Sequence, residues 1–348
     1  MTGKQAMAGM ARWLSGLVWL AVALSAPARA QDAALLEAIR AGDMRLASIG
    51  YRLSVAAAPL CDAKEPGLGL QLHTLAQYGP AARESVRRHF RFEGANTVAV
   101  EGVVPGGPAE RAGLRQDDTV VAIGGVAMPR GLPEAASTAQ LAGLHAAIAA
   151  LPPARPIEMA VIRGGTPLRV RITPVPACRT RYELRIDDGF DARANGDLVQ
   201  ITSEYLDEVD ESLLPAPIAH ELAHNILHHA ARLDAAGAQF GLASGFGRNV
   251  GLFRQTEIEA DILSVHLLAR AGYPTEIAAR FWGGFGPRLI AGKVRSRSHP
   301  PFKDRAATVA AQAARIAAAG GHAPLPDFYA RRGEPLDGKW EALLVRAP

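Results

Sequence analysis

The chain has 348 residues, 49% of them hydrophobic and 6% aromatic, and a formal net charge of +4, which is long enough for two domains beyond any targeting segment. Lys4, Arg12 and Arg29 lie in the first thirty residues with no acid among them, so the remainder carries 35 basic against 34 acidic groups. That balance, with no basic run interleaved with aromatic residues, leaves no electrostatic case for nucleic-acid binding.

Lys4 and Arg12 precede an apolar run over 14–24, and Ala28-Arg29-Ala30 gives the small-x-small pattern of a cleavage site ahead of Gln31. The run is shorter than the roughly 20 apolar residues that cross a bilayer. Residues 1–30 are therefore expected to be a signal peptide cut after Ala30, and the mature chain to be periplasmic or secreted. An uncleaved anchor and peripheral membrane association stay open, whereas no cysteine follows the run to carry a lipid. Residues 31–60 are expected to form an N-terminal helical segment.

Cys61 and Cys178 are the only cysteines. An even pair in an oxidising compartment can form a disulfide, and these two bracket residues 61–177, which read as one domain. Two buried thiols are the alternative, while metal ligation is not expected because neither has a CxxC partner. Within the bracket the pattern predicts strands over 97–104 and 119–123, the second followed by the turn Gly124-Gly125. An alanine-rich helix is expected over 135–151, and strands over 156–163 and 166–172 joined by Gly164-Gly165, the composition of a tight hairpin.

A strand leading into Pro105-Gly-Gly-Pro108-Ala-Glu-Arg-Ala112-Gly113-Leu114 and then Asp117-Asp118 resembles the PDZ domains of bacterial exported proteases. Gly107 stands where that motif usually has serine, and Asp117 where it has the glycine before the aspartate. The resemblance implies binding of an extended peptide by strand addition, with backbone amides gripping a terminal carboxylate. Gly67-Leu68-Gly69-Leu70 is the candidate carboxylate loop, although a segment with a helix over 81–90 separates it from the 97–104 strand. A small β-rich domain that only packs against its neighbour is the competing expectation.

Past Cys178, residues 179–187 and 197–202 are strand-like and Ala194-Asn195-Gly196-Asp197 is a turn. Pro215 and Pro217 mark a helix start, and Ile218, Leu222, Ile226 and Leu227 form an apolar stripe on a helix expected to run unbroken over 218–235. That helix carries His220-Glu221-Leu222-Ala223-His224. Histidines four apart share a face and can reach one metal ion, while Glu221 projects beside them toward a water that it can deprotonate. His228 and His229 near the helix end are read as structural. The glycines at 237, 241, 245, 247 and 251 suggest a flexible connection to a second amphipathic helix over 254–270, either a linker or a mobile lid. On that helix Glu257 and Asp261 share a face, so one can ligate the metal while the other holds a ligand histidine by its second ring nitrogen; Glu259 points elsewhere, and His266 is read as packing. A last helix is expected over 301–318, and residues 321–348 as a tail.

His220-Glu-Leu-Ala-His224, then Glu257-Ile-Glu-Ala-Asp261, then Ser298-His299-Pro300 with Arg305 resembles the family-48 zinc metallopeptidases, the CAAX prenyl protease and HtpX group. The resemblance covers about residues 178–318 and implies one zinc per chain held by His220, His224 and Glu257, with Asp261 as the ExxxD aspartate and Glu221 as general base. His299 and Arg305 match a late histidine and arginine that approach the metal or stabilise the oxyanion. The resemblance also implies that a strand before the metal helix borders the cleft and pairs with substrate backbone. Prenylated substrates do not follow, because the membrane helices of prenyl proteases are missing from this sequence. The expected fold is α+β, a small PDZ-like domain over 61–177 followed by a mainly helical zincin-type domain over 178–320. The expected function is zinc-dependent endopeptidase action on protein or peptide substrates, misfolded or exported. The rival expectation is a peptide-binding quality-control factor with a latent or inactive zinc site. Oligomeric state is left open.

Overall fold

The computed structural model describes residues 28–239, 247–290, 297–321 and 323–346. The apolar run of the expected signal and the middle of the glycine-rich connection lie outside these residues. The fold is mixed α+β, and none of the described helices is long and apolar enough to cross a membrane.

Helix α1 (Ala28–Ala57) runs past the expected end of the signal and spans both halves of the molecule. Leu46, Leu53 and Ala57 repeat at helical spacing and are buried in the core of the second half. Gly50 lets the helix lie on Tyr182, since a Cβ there would sit 2.6 Å from the phenol ring. Toward its start, Arg40 pairs with Asp117 at 2.6 Å and lies over the Phe90 ring, while Glu37 meets His89. The helix is a strut between the two halves.

The first half is a five-stranded antiparallel sheet in the order β2-β3-β4-β5-β6, built from β2 (Leu70–Thr74), β3 (Val98–Val103), β4 (Thr119–Ile123), β5 (Ile157–Arg163) and β6 (Thr166–Ile172). The β5–β6 turn is Gly164-Gly165, with φ of +55° and +78°, the left-handed pair that a two-residue hairpin matched to strand twist requires. Three helices accompany the sheet: α2 (Arg83–His89), α3 (Pro108–Arg111) and α4 (Ala139–Ala149). Leu72, Val100, Val120, Met159 and Ile172 form its core with Leu144 and Ile148 of α4. Residues 75–96 are an insertion between paired neighbours, packed by Leu75, Val86, Phe90 and Phe92. Entering and leaving this half, β1 (Lys64–Gly67) and β7 (Val175–Cys178) pair antiparallel, and Cys61 is disulfide-bonded to Cys178.

The second half begins with a three-stranded sheet in the order β8-β10-β9, from β8 (Arg181–Arg185), β9 (Ala192–Ala194) and β10 (Leu198–Thr202). The strand-like segments expected over 179–187 and 197–202 pair in parallel, and the 194–197 turn joins β10 to β9, a short strand that composition did not announce. Helices α5 (Ser203–Glu208), α6 (Pro215–Ile226), α7 (His229–Ala235), α8 (Arg248–Arg270), α9 (Ile277–Arg280), α10 (Phe302–Ala318) and α11 (Asp327–Ala330) follow. Helices α6 and α8 form its centre, with Ile218, Leu222, Ile258, Leu263 and Val265 wholly buried.

Three expectations are corrected here. The helix expected to run unbroken over 218–235 breaks at His228, whose φ of +55° turns the chain while its imidazole pairs with Asp62 at 2.8 Å. The helix that carries Glu257 and Asp261 starts at Arg248, so Gly251 is not part of a flexible connection; a Cβ there would sit 3.1 Å from the Gly338 carbonyl. Residues 321–348 are more than a tail, because Phe328 and Leu336 are buried and the Tyr329 hydroxyl donates to the Leu60 carbonyl at 2.9 Å.

Candidate functional site

Facing positions of α6 and α8 bring His220, His224 and Glu257 together. The two Nε2 atoms lie 3.1 Å apart, and Glu257 presents its oxygens 3.5 Å from His220 Nε2 and 3.6 Å from His224 Nε2. A tetrahedral divalent metal with bonds of about 2.1 Å separates its ligand atoms by about 3.4 Å, so the donor triangle fits such an ion. Their chemistry fits as well, since two imidazoles and a carboxylate leave a fourth position open.

Behind His220, Asp261 is wholly buried and accepts from Nδ1 at 3.0 Å, which fixes the ring with Nε2 toward the triangle. Arg305 grips Asp261 through two bonds of 2.7 and 2.8 Å and reaches Glu257 at 3.2 Å. Its guanidinium lies 3.4 Å from the centre of the Trp282 ring. Arg305 Nη2 also lies 3.3 Å from His220 Nε2, so the guanidinium stands against the ligand triangle as the counterion of two carboxylates. In the metal-free chain burial presses His220 down, but the carboxylates of Asp261 and Glu257 outweigh it and raise its pKa to about 9. Burial favours the charged form of Glu257 least, yet His299, Arg305 and His220 hold its carboxyl well below the usual range. His224 goes the other way, pushed well down by burial and by its histidine neighbours.

Glu221 sits one residue along α6 from His220, lines the same cleft and is nine-tenths buried. Burial lifts its carboxyl to about 7, an affinity suited to taking and returning a proton near neutral pH. His299 also lines the cleft, with Nε2 3.6 Å from Glu257 Oε1 and Nδ1 3.0 Å from the Ser298 hydroxyl.

The cleft wall opposite the helices is β9 with residues 190–195, the outer strand of its sheet. Asn225 of α6 fixes its distance from the ligands: its Oδ1 accepts from Gly196 N at 2.7 Å and its Nδ2 donates to the Leu198 carbonyl at 3.2 Å. Phe190, Trp282 and Phe302 make the wall aromatic. Trp282 sits on a π-turn over Phe281–Phe285, an irregularity that no periodic pattern announces.

Of the histidines read as structural, His266 is buried and bonded to Gln312 at 2.7 Å, and His228 pairs with Asp62. His229 is different. The break at His228 turns its ring onto His224, Nδ1 to Nδ1 at 2.9 Å, with Nε2 on Glu259 at 3.1 Å. Glu259 does point away from the ligand triangle, but into the protein, where it is only 1% exposed. The alternation of acids along 257–261 was the one sequence signal that could have found it.

A second cavity lies between β2, α4 and the strut. Gly67-Leu68-Gly69-Leu70 forms one end, and His145 and Ile148 of α4 face β2 across it. Ala47 and Tyr51 of α1, with Thr180 and Tyr182 beside β8, close the side toward the second half. Strand β2 is the outer strand of its sheet, so its far edge is turned to this groove. Gly69 has a φ of +62°, and a Cβ there would lie 3.2 Å from the Gly107 Cα. A Cβ on Gly107 would meet the Val104 carbonyl at 2.8 Å, which accounts for glycine where serine is usual. Asp117 takes a φ of +66°, the conformation of the glycine it replaces, and spends its carboxylate on Arg40 of the strut.

No curated protein matches the chain. The family model described as a PDZ domain matches residues 100–145, from inside β3 to inside α4. The chain therefore contains a PDZ domain at residues 100–145, a module that binds peptides and proteins.

Proposed function

We propose that the protein is an exported zinc-dependent endopeptidase that draws protein or peptide substrates through its PDZ groove, with misfolded or exported proteins as the substrate class. The observation that carries this reading is the triangle of His220 Nε2, His224 Nε2 and a Glu257 oxygen, with separations of 3.1 to 3.6 Å, and Glu221 beside it. Zinc held there supplies Lewis acidity toward a carbonyl and toward water. Glu221 takes the proton of the attacking water and returns it to the leaving amine. His299, at the cleft mouth, donates to the oxygen on which negative charge develops, and Arg305 pairs with Asp261 and holds Glu257 ionised. Substrate lies extended along β9, whose outer edge offers backbone groups for pairing. The amino-terminal charge and apolar pattern and the Cys61–Cys178 disulfide support export.

A second reading draws on His299, whose Nε2 approaches Glu257 as closely as a ligand histidine does. A peptide-binding quality-control factor, kept latent by that imidazole in the open metal position, would show the same arrangement. Glu221→Gln separates the two. Endopeptidase action predicts chelator-sensitive cleavage of casein by the wild type, lost in the variant while zinc content and peptide binding persist. Absence of chelator-sensitive cleavage from the wild type under any condition decides for the binding factor.

A further inference from the structure

His224 is held from behind by a chain of side chains that reaches the C-terminal segment, and its proton positions follow from the partners. Glu259 is buried and its carboxylate is paired with the Arg232 guanidinium. Arg232 Nη1 donates to Glu259 Oε2 at 3.0 Å, and Gln255 Nε2 to Oε1 at 2.8 Å. An ionised carboxylate only accepts, so the His229 nitrogen 3.1 Å from Oε2, Nε2, carries a proton. A neutral imidazole then has a bare Nδ1, which can only accept from the ring nitrogen it meets, His224 Nδ1, at 2.9 Å. His224 is left with the proton on Nδ1 and a lone pair on Nε2, the atom in the ligand triangle.

The far end of the chain is fixed by backbone. Arg232 Nε donates to the Glu334 carbonyl at 2.9 Å, and Gly338 N donates to Gln255 Oε1 at 2.8 Å. The latter bond settles which end of the Gln255 amide faces Glu259, and so which atom of it donates.

We propose that His229 and Glu259 are positioning residues for the metal ligand His224, fixing its tautomer and ring plane, and that residues 334–338 clamp this relay through Arg232 and Gln255. The inference rests on the metal reading above. The two metal-binding histidines are then served by different devices, Asp261 with Arg305 behind His220, and a second imidazole ending on Glu259 behind His224. A partner of this kind behind a ligand histidine is worth about 10- to 100-fold in metal affinity.

The test uses the full mature chain with its disulfide intact. In the metal-free wild type, nitrogen-15 imidazole spectra should show His224 protonated on Nδ1 and bare on Nε2, and His229 the reverse. Chelator competition should show zinc held about 10- to 100-fold more weakly by His229→Leu. Affinity should return to within about threefold in His229→Gln, whose amide oxygen can accept from His224 Nδ1–H. A proton on His224 Nε2, or undiminished zinc affinity in His229→Leu, overturns the proposal. Should His229→Leu not fold, the wild-type tautomers and the glutamine variant still decide. A wild type that takes up no zinc defeats the metal reading, while the tautomers continue to test the relay.

Discussion

The candidate metal cleft and the groove beside β2 are held by opposite means. In the cleft, charged side chains are buried in matched sets: Asp261 with Arg305, Glu257 with Arg305 and the histidines, Glu259 with Arg232 and His229. In the groove, backbone does the shaping, through Gly69 in a left-handed turn packed on Gly107 and the bare edge of β2. A cleft built from compensated charge is sensitive to the loss of one ion and indifferent to small changes of shape. A groove built from glycine backbone is sensitive to a single added carbon and indifferent to charge.

The strongest way to break this contrast is Arg305→Met. It leaves Asp261 and the Glu257 side of the triangle uncompensated in a buried setting, a change that costs about 3–5 kcal/mol. Thermal unfolding should shift down by about 6–20 °C for a unit of this size. A shift under about 2 °C would show that the arginine is not the counterion on which the cleft depends.

Replacing both Cys61 and Cys178 by alanine should cost about 2–5 kcal/mol, read from denaturant midpoints, because the bond closes a loop of 117 residues. Peptide affinity of the remaining folded protein should be unchanged, since neither sulfur lines the groove.

Gly69→Val sharpens the contrast from the other side. A β-branched residue at a φ of +62°, 3.2 Å from the Gly107 Cα, should close the candidate carboxylate loop at a cost of about 1–2 kcal/mol. Binding of C-terminal peptides, followed by fluorescence anisotropy, should fall by about tenfold or more, a loss of at least about 1.4 kcal/mol. Zinc content and cleavage of short peptides should stay at the wild-type level; their joint loss would mean that groove and cleft are one mechanical unit.

The smallest expected effect is a change of slope. Burial raises Asp43 of the strut to about 7, beside Glu101 of β3, which burial and Asp43 push well above the carboxylate range. The folded chain then keeps a proton that the unfolded chain has lost above about pH 4. Stability from this group is fully present below the unfolded value and declines as pH rises toward 7, with no further change above. Asp43→Asn should flatten the midpoint-against-pH curve between about 4 and 7; an unaltered curve would place the titration elsewhere.

Much of this was readable in the chain because it depends on local period. His220 and His224, or Glu257 and Asp261, meet because side chains four apart share a helical face, and the PDZ strands are bounded by glycines whose φ is local chemistry. What escaped depends on contacts distant in sequence. His229 looked like a helix-end histidine because the turn at His228 is settled by Asp62, over 160 residues earlier. Trp282 escaped because a π-turn has no pattern to match, and the pairing of Arg305 with Asp261 escaped because nothing along the chain says that Asp261 needs a counterion. Asp117 looked like a defect in its motif until Arg40 of the strut supplied its partner.

The Cys61 and Cys178 α-carbons are 5.5 Å apart, a span that two or three residues of chain can close. Everything between them therefore enters and leaves the chain at one seam, and the strut holds it a second time through Arg40 and Asp117. Other recognition modules that keep Asp62 for His228 and a partner for Arg40 of the strut could be spliced in at the same seam to redirect what reaches the cleft.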